Sequence, residues 1–406
     1  MFSLLYPEAM FLVRDLAIGL IPIWLRDDPI PKIIVKASKE TILAAKMCQG
    51  FSIYLIPYAV DEIQSHGFIA AFFDNEDEPL TAGGAIMKEL GAEEFRKAFL
   101  SEVIDVHFFD ELNREMLGYR ARTTISKEYR EILTEERFPS LEGLNQGAVV
   151  DRLVHWFGLR NSEDDAKAIV VKFENSLIPE NIAYIDATLE SNAFHGGSGV
   201  TSTHLERQEP GKFQEIDIIH LLQRTFAPQH IFWAPLRVRD REEIADIIVS
   251  TEKSILIIQA KDSPNIERIL KASIDRKRKK AVSSIENAIK QARGAIGYLR
   301  KQSPMPAIIN GDEIILQWEE KDIYSLLIVK ELFDDDYDVY TPPMLKLAHD
   351  TGIPCIALSY SELHQYTNHL RGDDAFFGAY MRVFMQGYET GVFPRLRLRH
   401  PNDSDD

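Results

Sequence analysis

Five short runs between residues 31 and 173, PKIIVKA, FSIYLIPY, GFIAAFF, VIDVHFF and AIVVKF, concentrate β-branched and aromatic residues, and the pattern predicts strands. Two longer stretches, AGGAIMKELGAEEFRKAFLSEV and PSLEGLNQGAVVDRLVHWFGL, space apolar residues by three and four, which predicts helices. VIDVHFFDELNREMLGYRART reads as strand, turn and strand, with Asp110 and Glu111 capping the turn. Residues 1–193 therefore predict a mixed α/β or α+β domain, without an internal repeat. The next stretch, FHGGSGVTSTHLERQEPGK (194–212), is polar, rich in Gly, Ser and Thr, and ends in Pro-Gly. No Gly-Lys-Ser/Thr follows its GGSG, and no dinucleotide-type GxGxxG is present, so it reads as a linker rather than a phosphate loop.

The pattern then changes to a regular alternation. GKFQEIDIIHLLQRTF predicts a helix and HIFWAPLRVR a strand, and two further apolar runs follow. Residues 276–302 predict a long helix with Ile285, Ile289, Ala292 and Ile296 on one face. DIYSLLIVKE and IPCIALSY predict strands, and TPPMLKLAHDTG and SELHQYTNHL predict helices, the first ending at a glycine and the second starting near Ser361 or Glu362. Residues 213–372 thus predict a second, α/β domain. Residues 373–406 read as a C-terminal extension whose acidic end, HPNDSDD, is expected to be disordered.

Within the second domain, EIADIIVSTEKSILIIQAKDS (243–263) places polar residues where strands are normally apolar. STEKS predicts a hairpin turn, and Asp246 and Gln259 lie equally far from it, facing each other. Residues two apart on a strand share a face, so Lys261 joins Gln259. A carboxylate and an amide oxygen are hard ligands suited to Mg²⁺, and the Ala260 carbonyl adds a third oxygen. A lysine beside such an ion helps to orient and acidify a water, as phosphodiester hydrolysis requires.

Composition narrows the partners. The net charge of −17 argues against constitutive coating of nucleic acid, because such affinity comes largely from phosphate contacts. Any contact must use a local basic patch, and RILKASIDRKRKK (268–280) supplies one, densest at Arg276, Lys277, Arg278, Lys279 and Lys280. Two cysteines, Cys48 and Cys355, show no metal or disulfide spacing and suit a reducing cytoplasm. No run of 18 uncharged apolar residues suggests a transmembrane helix, and the start lacks the basic region and cleavage site of a signal peptide. The histidines, among them His195, His204, His220, His230, His364 and His369, lack metal spacing and read as structural or solvent-facing.

The order helix, strand, strand with Asp246, strand ending in Gln259-Ala260-Lys261, helix, strand resembles the PD-(D/E)XK nuclease superfamily. The Gln-Ala-Lys variant is similar to its Mrr-type restriction endonuclease branch. The resemblance covers residues 211–372. It implies a restriction-endonuclease-like domain, a mixed central sheet flanked by helices, in which Asp246 and Gln259 hold Mg²⁺ or Mn²⁺ and Lys261 is catalytic. GKFQE resembles the start of that family's first helix, which makes Glu215 a further metal ligand, and Gln291 resembles a glutamine frequent on the helix after the core hairpin. Glu243, three residues before Asp246, faces away on an alternating strand and reaches the site only across a bulge; Asp262 faces away. The implied activity is Mg²⁺-dependent cleavage of DNA, with RNA as the alternative substrate, in prokaryotic defence against foreign DNA. A homodimer and a protein partner for the N-terminal domain, in target recognition or regulation, accompany it. The rival expectation is an inactive nuclease-like protein that binds nucleic acid or regulates.

Overall fold

The structure, a computed structural model, describes residues 1–394 apart from 27, 61, 75–78, 141, 143, 209–210 and 302–303. HPNDSDD lies outside the described residues. The five strands expected in the first half all form, and Gly19–Ile23, Leu80–Ala85 and Glu115–Thr124 complete an eight-stranded mixed sheet with them. Its one parallel junction joins Lys32–Lys36 to Val103–Phe109. Of the helix expected over residues 82–103, Ala92–Leu100 is α-helical and Lys88–Leu90 a single 3-10 turn, and Leu80–Ala85 is an edge strand paired with Ile63–Phe72. Gly83 accounts for the difference: a Cβ there would lie 2.4 Å from the Phe68 carbonyl oxygen, so strand pairing this close requires glycine. An unforeseen helix, Lys39–Cys48, is capped by Ser38, whose hydroxyl accepts the Thr41 N–H.

The second sheet has five strands in the order Ile231–Trp233, Ile247–Ser250, Ser254–Lys261, Asp322–Val329 and Cys355–Ser359. Its first two junctions are antiparallel and its last two parallel. The two parallel crossovers step the same way across the sheet, so right-handed connections put Ile274–Lys301 and Tyr337–Thr351 on one face. Gly211–Leu222 and Tyr360–His369, which touch each other, cover the other. The long helix buries Ala281, Ile285, Ala288, Ile289, Ala292, Ile296 and Leu299, the stripe expected from its spacing. Ser359, rather than Ser361, caps the Tyr360–His369 helix in a capping box with Glu362. The 194–212 stretch is stitched into the fold: Thr201–Thr203 pairs with Tyr184–Asp186, His195 bridges Phe232, and Arg207 bridges Asn265. Past residue 372 the chain continues as a core helix, Asp373–Thr390, in which buried Tyr380 donates to the carbonyls of Ser325 (2.5 Å) and Pro354 (2.9 Å).

The apolar core around the second sheet runs from Phe194 to Phe393, and separate clusters line the first sheet. The joint between the two bodies is rich in charge. Lys39 from the first body lies 2.6 Å from Asp217 of the second, and Lys330 lies 3.3 Å from Glu40.

Candidate functional site

Ser254–Lys261 is the central strand of the second sheet, and the register around its hairpin fixes what meets at its end. Ile248 pairs with Ile257 and Ile247 with Ile258, so the next position outward sets Asp246 opposite Gln259. The backbone ladder stops there. The Ala260 N–H donates at 2.5 Å to Asp246 Oδ2 instead of to a main-chain carbonyl. The aspartate thereby caps the strand end and is itself fixed.

Lys261 folds back over the same end. Its Nζ lies 3.5 Å from Asp246 Oδ2 and donates at 2.9 Å to the Ala260 carbonyl. The Ala260 oxygen, expected as a metal ligand, is thus engaged by the ammonium. Gln259 is 2% exposed, on the same side of the strand as Lys261.

The helix Gly211–Leu222 delivers Glu215. Its Oε2 accepts the Trp233 indole N–H at 2.7 Å, and Lys212 stacks over the same indole with Nζ 5.4 Å from the ring centre. Burial pushes the Glu215 carboxyl up to about 7; Asp246 adds to the shift, while the indole, Lys261 and Lys212 oppose it. Trp233 pairs with Ile247, the neighbour of Asp246, so its bond to Glu215 brings this carboxyl to the same end of the sheet.

Glu243 also reaches the site, because the strand bulges. Trp233 pairs with Ile247, and Ala234 N–H donates to the Asp246 carbonyl at 2.9 Å. The Ile244 N–H then donates to Pro235 at 2.8 Å, and Leu236 bridges Glu243. Ala245 is the extra residue on the longer side, a β-bulge, and it returns residues three apart to one face. Although Glu243 is an exposed residue, its carboxyl hydrogen bonds to that of Asp246. It stands above the ordinary range through desolvation first, then through that bond and the charges of Asp246 and Glu215.

Three carboxyl groups therefore crowd one ammonium, an excess of negative charge that a divalent cation would relieve. The donor set suits Mg²⁺ or Mn²⁺: Asp246 and Glu215 offer carboxylate oxygens and Gln259 an amide oxygen. Among the described residues no group of three or more His, Cys, Asp or Glu forms a preassembled metal cage.

The remaining expected residues are placed elsewhere. Gln291 is exposed on the outer side of its helix. In the basic segment, Lys277 pairs with Asp74 of the first body, and Arg278 pairs with Asp335 (3.1 Å) and Asp336 (3.3 Å) and stacks on Phe333. Arg276, Lys279 and Lys280 are exposed. Asp262 faces away from the site, into a small cavity it shares with Lys39 and Arg207. His364 is fully buried and structural: its Nδ1 accepts from Arg224 at 3.0 Å, and its Nε2 lies 3.1 Å from the Ala17 carbonyl. Sequence reasoning missed Trp233, the partner of Glu215; its indole N–H beside a strand bend was the only available signal.

Neither a family model, nor a curated protein, nor a solved structure matches this chain. Among the described residues no helix is long and apolar enough to cross a membrane.

Proposed function

We propose that the protein is a metal-dependent endodeoxyribonuclease with a restriction-endonuclease-like second domain of the Gln-x-Lys, Mrr-like kind. The observation that carries this reading is the meeting of Asp246, Lys261 and Glu215, from a strand end, a central strand and a separate helix. Asp246, Glu215 and the Gln259 amide oxygen would hold the ion, which would supply Lewis-acid stabilisation and make a bound water easier to deprotonate. Lys261 orients the attacking water and stabilises negative charge that builds on the phosphoryl oxygens. Trp233 holds Glu215 in place. The proposed setting is cytoplasmic defence against foreign DNA in a prokaryote. Two copies would cut the two strands, and the N-terminal domain would recognise the target or a protein partner.

One observation favours a second reading, an inactive nuclease-like protein that binds or regulates. Asp246 Oδ2 already accepts from Ala260 and faces Lys261, and the second ligand position holds an uncharged amide. Incubating plasmid and linear DNA, and RNA in parallel, with Mg²⁺ or Mn²⁺ separates the two. Cleavage lost in Lys261→Ala and Asp246→Ala supports the nuclease. Binding without cleavage of any substrate supports the second reading, and cleavage surviving both substitutions refutes the site.

The placement of the basic segment sharpens a binding prediction. Changing Arg276, Lys279 and Lys280 together to Gln is expected to weaken DNA binding. The slope of log affinity against log salt should fall by about 0.9 for each phosphate that is no longer neutralised. A filter-binding salt series with an unchanged slope would remove the segment from the interface. Lys277 and Arg278 are excluded from this variant because their loss would loosen packing.

A further inference from the structure

Asp217 is gripped from three directions. It sits on the Gly211–Leu222 helix and is 1% exposed. Its Oδ2 accepts from Lys39 Nζ at 2.6 Å and lies 3.3 Å from Arg207 Nη1; its Oδ1 accepts from Arg114 Nη2 at 2.8 Å. Lys39 and Arg114 belong to the first body, where both also hold Asp110, at 3.4 and 2.7 Å. The helix bearing Asp217 is thus tied to the eight-stranded body by charge-assisted bonds that leave little freedom.

The residues of this knot interleave with those of the candidate site. Gln214 and Asp217 flank Glu215, and Asp262 follows Lys261. Gln214, Asp217 and Asp262 line one cavity of about 10 Å³ together with Lys39 and Arg207. Gln214 Oε1, Asp262 Oδ2 and Arg207 Nε are buried there without a protein partner among the described residues. Positions two apart on a helix are separated by about 200° around its axis, so Asp217 faces the first body while Glu215 faces Asp246. A displacement of the first body that carries Asp217 must carry Glu215 with it, since one short helix holds both.

We propose that Asp217 is a positioning residue through which the N-terminal domain sets the place of Glu215 beside Asp246 and Lys261. A molecule that shifts the N-terminal domain, its target or partner, would regulate the site by this route. The regulatory role rests on the nuclease reading; the mechanical coupling does not.

The Trp233 indole N–H bonds to Glu215, so its NMR resonance, assigned with Trp233→Phe, reports where Glu215 stands without any assay of activity. In the full chain, Asp217→Asn and Lys39→Met are each expected to move that resonance. They are also expected to weaken Mn²⁺ binding, followed by electron paramagnetic resonance, by about tenfold or more. Lys277→Met breaks a separate ion pair of the joint, to Asp74, and is expected to lower thermal stability while leaving both readouts alone. If Asp217→Asn fails to fold, Lys39→Arg and Arg114→Lys keep the charge, change its reach and carry the same comparison. An indole resonance and Mn²⁺ affinity unchanged in folded variants, with only stability reduced, would overturn the proposal. Failure of the wild-type chain to bind Mn²⁺ would overturn the nuclease reading, and the indole shift would still decide the coupling.

Discussion

Lys261→Met is expected to reduce metal-dependent DNA cleavage by about a thousandfold, within the range for loss of one preorganised electrostatic group. Methionine keeps the unbranched stem of a side chain that is largely buried, so the change is confined to the ammonium. The metal dependence should move the other way. Removing the Lys261 ammonium takes away positive charge that would repel the ion beside Glu215, Glu243 and Asp246, so Mn²⁺ should bind at least as tightly as to the wild type. Asp246→Asn is the complementary change. Its amide oxygen still accepts the Ala260 N–H, so the fold is kept, whereas Asp246→Ala would leave that buried donor unpaired at a cost of about 1–3 kcal/mol. Asp246→Asn should lose cleavage and Mn²⁺ affinity together. Equal losses of metal affinity in both variants would make Lys261 a scaffold for Asp246, and the assigned roles would be wrong.

What the sequence disclosed about this site follows from the range of the interactions. The hairpin is local: once STEKS is read as the turn, counting outward sets Asp246 across from Gln259, the register that the Ile247–Ile258 pair requires. Strict alternation put Glu243 on the far face, and one bulged residue brought it back; no residue type in EIADII announces an extra residue. The rotamer that folds Lys261 onto its own strand end is likewise invisible in a string of letters, and it is what occupies the Ala260 carbonyl. Pairings across the chain were out of reach altogether. Lys39 and Asp217 are 178 positions apart, and Lys277 and Asp74 are 203 apart. The basic run looked free because the acids that neutralise part of it lie in other elements. Asp110 caps its turn as the local sequence predicts, accepting the Leu112 and Arg114 N–H groups. Its second role, in the joint, depends on a body folded much later in the sequence.

Glu111→Gln is expected to stabilise the chain increasingly as pH rises from about 5 to 8. Glu111 is fully buried in the joint, and both carboxylate oxygens lack a hydrogen-bond partner among the described residues. Its backbone carbonyl accepts from Arg224, at 2.8 Å. Burial pushes its carboxyl up to about 8, Asp110 and Glu40 adding to the shift and Lys39 opposing it. The folded chain therefore holds this proton up to about pH 8, while an unfolded chain releases it near 4.5. Between those values the folded state binds more protons, so stability falls as pH rises, by up to about 1.4 kcal/mol per unit. Below the window the cost is absent, and above it the cost is constant. Glutamine fills the same space without ionising, so denaturant unfolding should give similar stabilities for both chains near pH 5. The variant should then gain with pH, toward a ceiling of about 5 kcal/mol near pH 8. His364, pushed down to about 3 by burial first and then by the Arg224 charge, contributes the opposite slope below its unfolded value, but equally in both chains. The difference between the chains therefore isolates Glu111. Two stability curves that run parallel from pH 5 to 8 would mean that this carboxyl finds a partner or water on ionising, and that the joint tolerates its charge.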